Sequence, residues 1–219
     1  MKVASLSGET DFDGWRAAAR AFRLAGVAPG EAAFRVQAAP AGLFDGPMPP
    51  SAGDTGFAAP KAFVDLSREV ILHRSADRFD LMYRLLWRLQ TEPALMRVVS
   101  DRDVVDALDR ARNISRASHK MKAFVRFRQA EDADGEIWTA WFEPAHRVLE
   151  KTAPFFVRRF TTMRWSILTP DGSAFWDGSV LTSGPAATRD MAPAEDEIEA
   201  FWQTYYASTF NPARLQTRT

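Results

Sequence analysis

At about Met121 the spacing of apolar residues changes from roughly 3.6 to 2, and no single class of secondary structure satisfies both halves of such a chain. Before that point Phe63, Leu66, Val70 and Ile71 fall at offsets three, seven and eight, one apolar stripe of a helix that Pro60 opens. A second helix, capped by Asp77 or Ser75, carries Phe79, Met82, Tyr83, Leu85, Leu86 and Leu89 on its buried arc, with Arg78, Arg84 and Arg88 towards its polar side. Ser100 or Asp101 starts a third helix. It turns Val104, Val105, Leu108 and Ala111 inward and Asp103, Asp106, Asp109, Arg110 and Arg112 outward.

After Met121, KAFVRFR alternates: Ala123, Val125 and Phe127 face one side, and Lys122, Phe124, Arg126 and Arg128 the other. EDADG is a polar turn in which Gly135 can take a positive φ, and EIWTAWFEP returns as the second strand of a hairpin ending at Pro144. HRVLEKTAPFFVRRFTTM resumes helical spacing through Val148, Leu149, Phe155, Phe156, Phe160 and Met163, with a restart or kink at Pro154. RWSILTP and AFWDGSVL flank the turn Pro170-Asp171-Gly172-Ser173. A last helix from about Glu195 to Phe210 presents Ile198, Phe201, Trp202, Tyr205 and Tyr206 before Asn211-Pro212 stops it.

The start of the chain reads β-α-β: Asp13 caps a helix from Gly14 to Leu24, Gly26 and Pro29 end it, and Ala33–Val36 is a short strand. Residues 38–60, rich in Pro, Gly and Ala with no apolar period, read as a linker or surface loop. The expected class is α+β. It comprises an N-terminal β-α-β segment (1–37), central helices (61–118) and a C-terminal antiparallel ββ-α-ββ-α unit (119–219), with 61–219 forming one domain that can include 1–37. Hydrophobic residues make up 46% and charged residues 26%, a composition that folds. Zero cysteines exclude thiolate metal sites and iron–sulfur clusters held by this chain. There is no basic-then-apolar leader and no apolar run of about 18 residues, so a cytoplasmic protein without a membrane partner is expected. Twenty-eight basic residues balance twenty-eight acidic ones, and any attraction to nucleic acid must be local.

The blocks HKMKAFVRFR, WTAWFEPAH, APFFVRRFTTMRWSILTPDGSAFWDG and YYASTFNPARL, in that order, resemble the bacterial family designated domain of unknown function 4130. The resemblance covers residues 119 to 215 and extends more weakly into FVDLSREVILHRSADRFDLMYRLLWRL. It implies a place in DNA metabolism. Members of that family occur beside a radical S-adenosylmethionine protein thought to modify or repair DNA, and in fusions ahead of a uracil-DNA glycosylase-like domain. FDGWRAAARAFRLAGVAPGEAAFRV resembles the N-terminal block of those fusions. Family members continue past NPARL with a block rich in Met, Pro and Trp, whereas this sequence ends at Thr219; a natural truncation and a fragment of a longer fusion both fit.

Three groups of residues carry candidate chemistry. Lys120, Lys122, Arg126 and Arg128, with His119, form a basic patch; on a strand face, charges about 6.6 Å apart can follow nucleic-acid phosphates. A solvated face balanced by Glu131, Asp132, Asp134 and Glu136 explains the same residues. Among Trp138, Trp141, Phe142, Trp165, Phe175 and Trp176, alternation sends at least four into the core, with Trp176 beside a turn the exception able to stack an unpaired base. Arg214 can reach phosphate. His119, Glu143 and His146 form a weaker acid/base cluster if hairpin pairing brings the two histidines together, and His73 has a smaller claim still. The histidine spacing matches no metal motif, and phosphate-loop, GxSxG and GxGxxG signatures are missing, so no metal or cofactor is expected. Asp171, Asp177 and Asp190 fit turn or capping duty.

The leading expectation is a non-catalytic accessory domain for damaged or single-stranded DNA. An adaptor for the radical S-adenosylmethionine enzyme or the glycosylase-like domain is the second, and an unconventional enzyme built on His119, Glu143 and His146 the third.

Overall fold

The structure, a computed structural model, describes residues 1–36, Gly46, 58–132 and 135–192. Most of the 38–60 stretch, the helix expected at 195–210 and Arg214 lie outside the described residues. The chain forms two compact units, the first made of Met1–Ala123 with Pro144–Lys151 and the second of Phe124–Glu143 with Thr152–Thr219. The class is α+β.

In the first unit β1 (Lys2–Leu6) pairs in parallel with β2 (Ala32–Val36), joined through α1 (Phe12–Leu24). Asp11, not Asp13, caps α1: its carboxylate accepts from the Gly14 N–H at 2.7 Å and from the Ser7 N–H and hydroxyl. Asp13 sits in the first turn, where a negative charge favours the helix dipole. Gly26, at φ 69°, turns the chain out of the helix, a conformation that a Cβ would strain.

α2 (Lys61–Val70) and α3 (Arg78–Arg88) supply the rest of this core. Phe63, Leu66, Val70 and Ile71 are all buried, as are the six apolar residues expected on α3. Indole and phenol groups fasten the layers. Trp15 Nε1 donates to the Phe79 carbonyl at 3.3 Å, and the Tyr83 hydroxyl donates to the Val27 carbonyl at 2.6 Å. The β-α-β piece and the central helices therefore share one hydrophobic cluster. Arg78 departs from its expected polar-side position. It is 4% exposed, its guanidinium donating to the carbonyls of Ile71, Ser75 and Glu9 and pairing with the Glu9 carboxylate.

α4 spans Arg102–Phe124, and here the expected boundary fails. The helix continues through His119–Lys122 because Ile114, Ala117 and Met121 extend a buried helical stripe that begins at Val104 and Ala107. Val105 and Leu108, expected inward, are 38% and 37% exposed; Arg110, expected outward, is buried. The alternation holds in burial only from Phe124, with Val125 and Phe127 buried and Phe124 and Arg126 exposed; Ala123, expected to face the same side as Val125, is exposed within α4, and residues 125–127 form an extended connection without ladder pairing.

The second unit holds a five-stranded sheet in the order β3 (Arg128–Asp132), β4 (Gly135–Trp141), β5 (Trp165–Thr169), β6 (Gly172–Trp176), β7 (Leu181–Gly184). Gly135 has φ 101° at the expected hairpin turn. The β3–β4 and β5–β6 pairings are antiparallel as expected and β6–β7 is a further antiparallel pair, but β4 and β5 run parallel because a crossover carries the chain between them. That crossover contains α5 (Leu149–Arg159), a continuous helix with Pro154 inside it. AFWDGSVL is two strands rather than one, divided at Asp177, whose carboxylate accepts from the N–H groups of Ser179 and Val180. Central β5 is buried along its whole length.

Candidate functional site

From Arg110 to Arg128 the chain has seven basic residues, His119 and no carboxylate. This run, longer than the expected patch, lies mostly on a helix and not on a strand face. Arg112, Arg116 and His119 with Lys120 recur three or four residues apart, which puts them on one exposed face at about 6 Å intervals along the axis. Arg112 pairs with Asp109, whereas Arg116, His119 and Lys120 are exposed with no bonded partner among the described residues. Cations in the last turns of a helix also oppose its negative dipole end, a local benefit of the same residues. Lys122 is on the last turn, Arg126 in the extended connection and Arg128 at the start of β3.

The six sheet aromatics distribute differently from the expectation. Only Trp165 is buried; Trp138, Trp141, Phe142 and Trp176 are half-buried, and Phe175 is exposed. Register explains part of this: Trp138, Trp165 and Trp176 occupy adjacent positions on three neighbouring strands, so they share one sheet face. Trp165 takes the covered centre, against Phe127 and Phe156 at ring distances of 5.8 and 6.2 Å. Trp176 Nε1 donates to the Thr161 carbonyl, and Trp138 and Trp141 donate to Glu136 and Glu143. Trp176 is thus tethered rather than free beside its turn.

His119, Glu143 and His146 are not joined to one another by any hydrogen bond or ion pair. The premise of hairpin pairing does not hold, since His119 lies within α4 and β3 starts nine residues later. His146 instead stacks on His73, with ring centroids 4.1 Å apart and planes 29° apart. His73 follows α2, and His146 lies in the Pro144–Val148 segment, both within the first unit. Hydrogen bonds to backbone carbonyls clamp that segment to the end of α2: the Arg147 N–H donates to the Leu72 carbonyl, and the Arg74 side-chain Nε donates to the Ala145 carbonyl, both at 3.1 Å.

The tautomers follow from geometry. The Ser75 N–H donates to His73 Nδ1 at 3.1 Å, with the Ser75 hydroxyl 2.9 Å from the same nitrogen, and the Arg74 N–H donates to His146 Nδ1 at 3.3 Å, an arrangement that assigns Nδ1 as the acceptor in both rings. Each neutral ring therefore holds its proton on Nε2. Burial, then the neighbouring His146 and Arg110, push the His73 pKa down to about 4; burial, then Arg74 and Arg147, also lower that of His146. Around the pair, Arg110 donates to Ser75 and to the carboxylates of Asp77 and Asp106, while Arg78 and Arg147 share Glu9. The guanidinium of Arg110 holds the Asp77 carboxyl below its usual range. Sequence spacing alone could not find His73 and His146, which are 73 residues apart.

A separate groove of about 660 Å³ opens in the first unit above Phe12, Trp15, Phe63 and Leu86, with Asp13, Arg16 and Arg20 among its lining residues. Arg126, Arg128 and Trp176 do not line it. Among the described residues no group of three His, Asp or Glu side chains could hold a metal ion, and no helix is long and apolar enough to cross a membrane.

The family model described as Domain of unknown function (DUF4130) matches residues 76–219, from the end of the α2–α3 turn to the end of the chain. No curated protein and no solved structure matches the chain.

Proposed function

The chain belongs to the domain of unknown function 4130 family, and from that premise we propose that it is a non-catalytic, cytoplasmic accessory domain that binds damaged or single-stranded DNA in bacterial repair or modification. The observation that carries this reading is the acid-free basic run, with Arg116, His119 and Lys120 on an exposed helical face. Cations at this spacing can neutralise successive phosphates although the whole chain is electrically balanced. Lys122, Arg126 and Arg128 extend the same positive sequence. In the second unit, half-buried Trp138 and Trp176 keep part of their surface for base contact, a smaller contribution than free rings would make.

Fluorescence anisotropy with a labelled single-stranded oligonucleotide at low salt tests the proposal. Saturable binding that weakens in Arg116→Glu/Lys120→Glu and in Arg126→Glu/Arg128→Glu supports it; absent or salt-insensitive binding rejects it.

A second reading, docking of a radical S-adenosylmethionine enzyme or a uracil-DNA glycosylase-like domain, is favoured by one observation. Val98 and Val99, 44% and 79% exposed, precede α4, whose outer face adds half-exposed Val105 and Leu108. Four large apolar side chains close in sequence suit a protein contact better than a phosphate backbone. Co-purification with the partner in the absence of DNA binding would select this reading.

A further inference from the structure

We propose that His73 and His146 form an oxyanion-binding site for a phosphate-type group, held through their Nε2–H donors. Structural stapling explains only half of each ring. Both Nδ1 atoms are consumed by backbone N–H groups, while neither Nε2 has an acceptor among the described residues. Stacking with ring centroids 4.1 Å apart sets these two imidazoles side by side at one place in the fold.

The surroundings favour negative charge. His146 lies close enough to Arg74 and Arg147 for their charges to lower its pKa, and Arg110 does the same to His73. The acids facing the pair are already engaged: Asp77 and Asp106 by Arg110, and Glu9 by Arg78 and Arg147. An arriving anion therefore meets imidazole donors and guanidinium charge with no uncommitted carboxylate among these residues. It also offsets the positive charge that, after burial, lowers both pKa values, so binding and protonation reinforce each other. The site is independent of the exposed α4 face, whose residues make none of these bonds.

Imidazole proton–nitrogen NMR spectra of the full chain, recorded while inorganic phosphate or sulfate replaces chloride at constant ionic strength, test the site directly. Saturable shifts of the His73 and His146 Nε2 resonances are expected, lost in both His73→Gln and His146→Gln. With the His73 pKa at about 4 in the free site, a one-unit upward shift on binding should raise sulfate affinity about fivefold between about pH 7.5 and pH 4, with little change above about pH 6. Shifts no larger than those with chloride would overturn the proposal, and the wild-type titration decides this even if a variant fails to fold. Displacement of bound sulfate by a single-stranded oligonucleotide would assign the anion to a nucleic-acid backbone. Retention would assign it to free phosphate or a phosphorylated small molecule. In Arg116→Glu/Lys120→Glu the sulfate shifts should persist even where oligonucleotide binding is lost.

Discussion

Asp11 and Asp13 are two residues apart and chemically identical, yet only Asp11 reaches the free N–H groups at the start of α1. Asp11→Ala should cost about 1 kcal/mol in thermal unfolding, the usual loss for an N-cap, and Asp13→Ala only a few tenths. The cap lay within the sequence signal, but two adjacent acids could not be separated without backbone geometry.

His73 yields a pH prediction at the same scale. Its folded pKa, about 4, lies below the ordinary 6.5, so between these values the unfolded chain binds more protons. Stability should be constant above about pH 6.5 on this account and fall as pH drops towards 4. The full shift would correspond to about 3 kcal/mol; solvent screening of a half-buried ring reduces this to about 1–2 kcal/mol. Denaturant melts of His73→Gln should show a shallower decline across that window. An unchanged decline would remove His73 as its source.

At the scale of elements, α4 shows where pattern reading succeeds and where it stops. Val104 is inward in either helical register, and only the later anchors Ile114 and Met121 choose the observed one. The other register keeps Arg110 outside and Val105 and Leu108 inside, which residue hydropathy alone favours. Arg110 can be buried because Asp106, one turn earlier on α4, and Asp77 and Ser75, from outside the helix, satisfy its guanidinium; the last two are set by the fold and not by the helical pattern. Ile114→Ala should cost about 2–4 kcal/mol and Leu108→Ala less than about 1 kcal/mol in chemical denaturation. Comparable losses would contradict the register.

The same limit produced the misplaced basic strand. Val125 and Phe127 alternate in burial as a strand would, yet a strand needs partners, and pairing begins only at Arg128. By contrast the hairpin at Gly135 and the turn at Pro170-Asp171 were legible, because turn chemistry is local. The parallel β4–β5 pair was not, since it depends on where the crossover returns.

For the molecule as a whole, zero net charge conceals an uneven distribution. α4 carries Asp103, Asp106 and Asp109 in its first turns and, beyond Asp109, only basic residues among its charges. The candidate chemistry that sequence spacing could express, a cluster of cations, was legible in composition but misassigned in geometry. The chemistry that depends on long-range folding, the His73–His146 stack, was not legible at all.

The central claim, phosphate recognition by the exposed α4 face, is tested most directly by the salt dependence of single-stranded DNA affinity in the wild type and in Arg116→Glu/Lys120→Glu. For single strands log K should fall with log salt concentration at about 0.7 per phosphate contact, so losing two contacts should reduce the slope by about 1.4. A slope that is near zero in the wild type, or the same in both proteins, would contradict it.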